Sequence, residues 1–149
     1  MDDHYLLGLL VALGVTLAAS VTDVRERRIP NVLVGAGLIA SAPLAVVGGR
    51  WIDAVAGAGL GLALLALPRL IAHDAVGFGD IKLAGIVGLA LGIVGVMMAV
   101  GLAVVAASIA LLVHAGNRRE TRGPRLPFAP CLAFGVAGYV AVTLHLGVG

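Results

Sequence analysis

Charge is scarce in this chain of 149 residues: 12% of its side chains are charged, ten basic against eight acidic, for a formal net charge of +2. So thin and balanced a charge indicates neither a polyanionic partner such as nucleic acid nor a solvating tail. Cysteine is nearly absent as well. A single thiol, Cys131, excludes an internal disulfide and any multi-cysteine zinc site built from this chain alone. The four histidines, His4, His73, His114 and His145, lie scattered without metal-ligand spacing, so no metal or other cofactor is expected. The N-terminal MDDHYLLGLL has acidic residues where a cleavable secretory signal carries basic ones, which makes its apolar run a retained membrane helix.

Apolar side chains fill the remainder. The hydrophobic set makes up 60%, and 22 glycines raise the apolar share to about three quarters, against roughly 45–50% in soluble globular domains. This composition belongs to a membrane protein. A helix needs about 20 apolar residues to cross roughly 30 Å of hydrocarbon, and runs at 5–22, 32–47, 54–72 and 129–148 approach that length. The stretch 83–115 is too long for one untilted crossing, about 50 Å as a single helix. A turn near Gly92-Ile93-Val94-Gly95 divides it into two.

Charge distinguishes six crossings from five. With six, Arg25, Arg27, Arg28, Arg69, Lys82, Arg118, Arg119, Arg122 and Arg125 share one side and only Arg50 lies on the other. With five, the split is even. The positive-inside rule favours the first arrangement and makes the basic side cytoplasmic. The expectation is an all-α polytopic membrane protein, one embedded domain over 1–149, with six transmembrane helices and both termini on the non-cytoplasmic side. Trp51 then falls in a short outer loop. Arg69 snorkels toward headgroups, and the glycine pairs Gly57/Gly61 and Gly88/Gly92 form small helix faces suited to close packing.

Two loops face the same side in either arrangement: TDVRERRIPN and VGFGDIKL. Asp23 ends one apolar span and Asp80 begins another, so both carboxylates stand at a water–membrane boundary. Two carboxyl groups sharing one proton can activate water, one accepting its proton while the other polarises a carbonyl. The opposed fields of the two helix ends place that shared proton on Asp23. Glu26, Asp74 and Glu120 share this side. Asp74 is the nearest rival to Asp80, but it lacks the flanking Gly77 and Gly79, which permit close backbone approach. Lys82 reads as a topology anchor, Pro30 and Asn31 as the entry of the second helix, and Pro127 and Pro130 as the entry of the last.

These residues resemble a known family, the membrane-embedded type IV prepilin peptidases and preflagellin peptidases of the GxGD aspartic proteases. The Asp, basic residues and Ile-Pro-Asn of TDVRERRIPN, the GxGD-x-K of GFGDIKL and the Pro-Phe-x-Pro of RLPFAPCLAFG carry the match. The resemblance implies an aspartic endopeptidase that removes short basic leaders from prepilin-like precursors at the cytoplasmic membrane face, with Asp23 and Asp80 as the catalytic pair and no metal. It also implies that Gly77, Phe78, Gly79, Lys82, Pro127 and Phe128 belong to the active-site and substrate loops. Larger bacterial relatives carry an N-terminal methyltransferase region with paired cysteines, and this sequence resembles a peptidase-only form associated with Tad/Flp-type pili or archaeal filaments. Ala129 and Cys131 depart from the Pro-Phe pattern and bear on substrate preference. A small transporter or channel, and a noncatalytic filament assembly factor, are the competing classes. A transporter would usually place its ionisable group nearer the bilayer midplane.

Overall fold

A computed structural model describes residues 3–26, 29–71, 77–117 and 128–146. Every regular element among them is helical: α1 (Asp3–Glu26), α2 (Asn31–Val47), α3 (Trp51–Ile71), α4 (Phe78–Asn117) and α5 (Ala129–Leu146). Four of these, all but the shorter α2, are long and apolar enough to cross a membrane. The protein is thus an all-α polytopic membrane protein. Leu10, Leu17, Ile39, Leu70, Ile109 and Leu112 are among many large apolar side chains left on the surface, as lipid-facing helices require.

The core forms where α4 runs between its neighbours. Leu9, Ala12, Thr16 and Ala19 mark one face of α1 at helical spacing, and Ala129, Leu132, Val136 and Val140 mark one face of α5. Between them lie Leu83, Ala84, Val87, Leu91, Val96, Ala99 and Ala103 of α4, all buried. Small residues set the interhelical distances: a side chain at Gly57 or Gly61 would strike the backbone of Gly88 or Ala84, and one at Gly135 the backbone of Ala99. Packing of this kind, rather than a hydrophobic driving force, holds helices together in lipid. The buried hydroxyl of Thr16 is satisfied within its own helix by the Ala12 carbonyl at 2.8 Å.

The long apolar run is interrupted at Gly92, where φ 76° and ψ −171° take the backbone out of helical geometry. Only glycine adopts that conformation without large strain. Among the described residues α4 is thereby broken into helical segments 78–91 and 93–117. The first segment packs on α3, and the second lies against α5.

The kink is held from α3. Asp53, in the first turn of α3, accepts the Ile93 N–H through Oδ1 at 3.1 Å, supplying the acceptor that a helix restarting after the kink lacks. Its Oδ2 meets the Arg50 guanidinium at 3.4 Å, and it occupies the space into which a Cβ on Gly92 would project. Arg50 in turn lies over the Tyr5 ring, 4.3 Å from its centre, and the Tyr5 and Tyr139 hydroxyls share a hydrogen bond of 2.5 Å. This end therefore ties α1, α3, α4 and α5 together. Trp51 differs from expectation: it is the first residue of α3, not a loop residue, because α3 begins directly after Arg50, whose carbonyl accepts the Ala54 N–H.

Asp53→Ala should lower stability by about 1 kcal/mol, the usual cost of losing a helix-capping acceptor. Asp53→Asn should cost less, because its amide oxygen can still accept from Ile93. Unfolding titrations with SDS in mixed micelles test this. Equal losses in the two variants would show that the Arg50 ion pair, not the cap, supplies the stability.

Candidate active site

At the end opposite Asp53, the last turn of α1 and the first turns of α2 and α4 enclose an open cleft of about 320 Å³. Asp23, Ile29, Asn31, Gly77, Phe78, Gly79, Asp80 and Lys82 line it. The two expected aspartates, 57 residues apart in sequence, thus meet in one cleft, close enough for the charge of Asp23 to bear on Asp80.

Each carboxylate is placed by a helix N-terminus. Asp23 is half-buried, and its Oδ2 accepts the N–H of Ala129, the first residue of α5, at 3.3 Å. Such amides are free because the first turn of a helix has no intrahelical acceptors for them. Asp80 is the third residue of α4, and its carboxylate turns back onto the Gly77 backbone immediately before that helix, an arrangement like the returning half of a capping box. Asp80 is only 9% exposed, yet its Oδ1 has no hydrogen-bond partner among the described residues. The α5 contact alters one expectation. At Asp23 the field of the α1 C-terminus is opposed by that of the α5 N-terminus, so helix ends no longer assign the shared proton to Asp23.

The two loop glycines have separate tasks. A Cβ on Gly77 would come within 3.0 Å of Asp80 Oδ2, so this glycine leaves room for the carboxylate. One on Gly79 would come within 3.0 Å of the Ile29 Cβ, so Gly79 lets α4 seat against the connection between α1 and α2. Phe78 lies exposed at the cleft and carries the Arg69 guanidinium 3.8 Å from its ring centre, a cation–π contact on a residue expected to snorkel.

Lys82 donates to Asn31 Oδ1 at 3.1 Å. Pro30 precedes α2 as its cap, with its carbonyl accepting the Leu33 N–H, and Asn31 is the first helical residue. Phe128 is not among the cleft-lining residues. It packs against the core beside Ala129, and its carbonyl accepts the Leu132 N–H of α5. Cys131 is half-buried against the same core. Pro127, Asp74, Glu120 and His73 lie outside the described residues, whereas Glu26 is exposed and does not line the cleft. Ile29 and the Asn31 side chain also line the cleft, although the sequence reading gave Ile-Pro-Asn only as part of the family match and Asn31 only as the entry of the second helix. Their place in the Ile-Pro-Asn triplet was the available signal.

The model of the type IV leader peptidase family matches residues 10–112. The chain belongs to the type IV leader peptidase family. The matched region holds every residue that lines the cleft, and it ends before the α5 amide that receives Asp23. Over 128 residues the chain is 30% identical to the prepilin leader peptidase/N-methyltransferase of Bacillus subtilis. That alignment covers 85% of this chain and 52% of the relative, so the chain spans about half the length of the curated relative it matches. No solved structure matches it. Among the described residues no cluster of His, Cys, Asp and Glu has the form of a metal site.

In this leader peptidase family member, Gly79→Val should cost about 1–3 kcal/mol by overpacking against Ile29. Combining it with Ile29→Ala should cost less than the sum of the two single changes, because loss of Cγ1 and Cδ1, each 3.2 Å from the new Cβ, frees part of the space although the Ile29 Cβ remains. SDS unfolding of the four proteins measures the coupling. Additive losses would show that Gly79 and Ile29 do not share this contact.

Proposed function

We propose that the protein is an aspartic endopeptidase that removes short basic leader peptides from prepilin-like precursors at the cytoplasmic face of the cell membrane. The observation that carries this reading is the convergence of Asp23 and Asp80 on one open cleft. One carboxylate takes a proton from water as that water attacks the scissile carbonyl, and the other, as the acid, hydrogen-bonds the carbonyl oxygen. Collapse of the tetrahedral intermediate returns a proton to the departing amine. Asp80 Oδ1 has bonding capacity for such a role, since it has no hydrogen-bond partner among the described residues. Gly77 and Gly79 keep the neighbouring backbone free of side chains, and Phe78 and Lys82 border the path of the peptide. Phe128 acts through the start of α5, whose first amide holds Asp23.

In this reading the 149 residues form one membrane-embedded unit with six crossings and both termini on the non-cytoplasmic side. Contacts on both sides of Gly92 support a reversal there. Gly61 of α3 lies against Ala84 before the kink and against Val96 after it. Beyond the kink, Gly95 lies beside Tyr139 and Ala99 beside Gly135, so the second segment returns along α5 toward the cleft. The nine-to-one charge split then makes the cleft end cytoplasmic. The expected substrates are precursors of Tad/Flp-type pili or archaeal filaments, in which a basic leader precedes a hydrophobic segment.

Coexpression with such a precursor tests the proposal. Asp23→Asn and Asp80→Asn should each reduce leader removal by about 10²–10⁴-fold, the range for loss of a general acid or base, while SDS unfolding shows folded protein. Undiminished cleavage by either folded variant overturns the dyad. Solute or proton flux in liposomes without precursor cleavage would instead identify a transporter.

A further inference from the structure

Lys82 lies two residues beyond Asp80 and lines the same cleft as both aspartates, the one cation among its described lining residues. A flexible four-carbon stem carrying a compact charge would ordinarily settle on a neighbouring carboxylate. It does not do so here. Among the described residues no ion pair joins Lys82 to Asp23 or Asp80, and its ammonium donates instead to Asn31 Oδ1 at 3.1 Å.

Asn31 is well placed to accept it. It stands at the first position of α2, where its own N–H needs no intrahelical acceptor, and no side-chain bond caps that helix, so its amide oxygen is available. A neutral amide holds the ammonium without adding a third carboxylate to the cleft. We propose that Asn31 is a positioning residue that parks the Lys82 ammonium on the α2 side of the cleft and so keeps it out of an ion pair with Asp23 and Asp80. An ammonium seated on either carboxylate would occupy an oxygen needed to hold water or to share the proton, leaving the pair unable to divide the roles of acid and base. The inference rests on the two-aspartate reading above.

Two measurements test it, one of them independent of turnover. A water-soluble carbodiimide activates a carboxylate, and an amine in contact displaces the activated group to form an amide with net loss of one water. In the wild type, mass spectrometry should find little Lys82 amide to Asp80 or Asp23. Asn31→Leu should raise that yield several-fold, and Asn31→Asp should not. In precursor cleavage, Asn31→Leu should lower kcat by about 10- to 100-fold, the effect of one charge-assisted hydrogen bond, with a smaller change in KM. The double variant Asn31→Leu/Lys82→Met should be as active as Lys82→Met alone and clearly more active than Asn31→Leu, because no ammonium remains to be parked. An unchanged cross-link yield in Asn31→Leu overturns the proposal. So do equal losses in Asn31→Leu and Lys82→Met without recovery in the double variant, which would mark the bond as a plain α2–α4 tie. Absence of cleavage by the wild type would instead count against the peptidase reading, leaving the cross-linking result to judge the position of Lys82.

Discussion

The first turn of a helix leaves backbone N–H groups without intrahelical partners, and a side-chain carboxylate can supply the missing acceptor. That constraint places the three carboxylates on which this bundle turns. Asp53 accepts from Ile93, where α4 resumes after its kink, Asp23 accepts from Ala129 at the start of α5, and Asp80 turns back on Gly77 at the start of α4. An acidic side chain at a helix N-terminus also gains from the helix dipole. Each therefore has a structural reason to be where it is, before any chemistry is asked of it.

The spare bonding capacity separates the structural carboxylate from the other two. Asp53 has both oxygens engaged, one by the Ile93 amide and one by Arg50, and it does not line the Asp23–Asp80 cleft. Asp23 has one oxygen on Ala129 and lines the cleft, and Asp80 has a buried oxygen with no partner among the described residues. A buried, unpaired acceptor is costly, and proteins tolerate that cost chiefly at functional sites. The two ends of the bundle are accordingly built differently. The Asp53 end is closed by Arg50, Tyr5 and Tyr139, while the Asp80 end holds an open cleft.

The sequence announced some of this and could not announce the rest. The interruption near Gly92 was legible because length excluded a single crossing and glycine marked the permissive residue. The facing of Gly57 and Gly61 toward α4 was likewise foreshadowed by their four-residue spacing. Asp53 was not legible as the clamp on that kink, because its partner Ile93 lies 40 residues away on another helix and spacing along α3 says nothing about it. Trp51 was misplaced in a loop because an aromatic at an interface looks the same just outside a helix and at its first residue. At the cleft, Asp23 and Asp80 were legible from position, charge and the resemblance together. The Ala129 amide was not, since a backbone donor has no side chain to advertise it, and its effect was to remove the simple assignment of the shared proton.

Because the carboxylates are held by different helix starts, the distance between them is a property of helix packing rather than of either loop. Asp80 moves with the first turn of α4. Asp23 is carried on the last turn of α1 but tethered to α5, so it responds to how α5 lies against the rest. The spacing of α5 from the second part of α4 is set by Gly135, where any side chain would strike Ala99. A wider contact there would draw the Ala129 amide outward and with it the carboxylate it holds, although Gly135 lies well outside the cleft. Small residues deep in the bundle thus share control of the site with VGFGD itself. Gly77 and Gly79 supply the local room, and the interhelical glycines set the frame within which that room brings two carboxyl groups together.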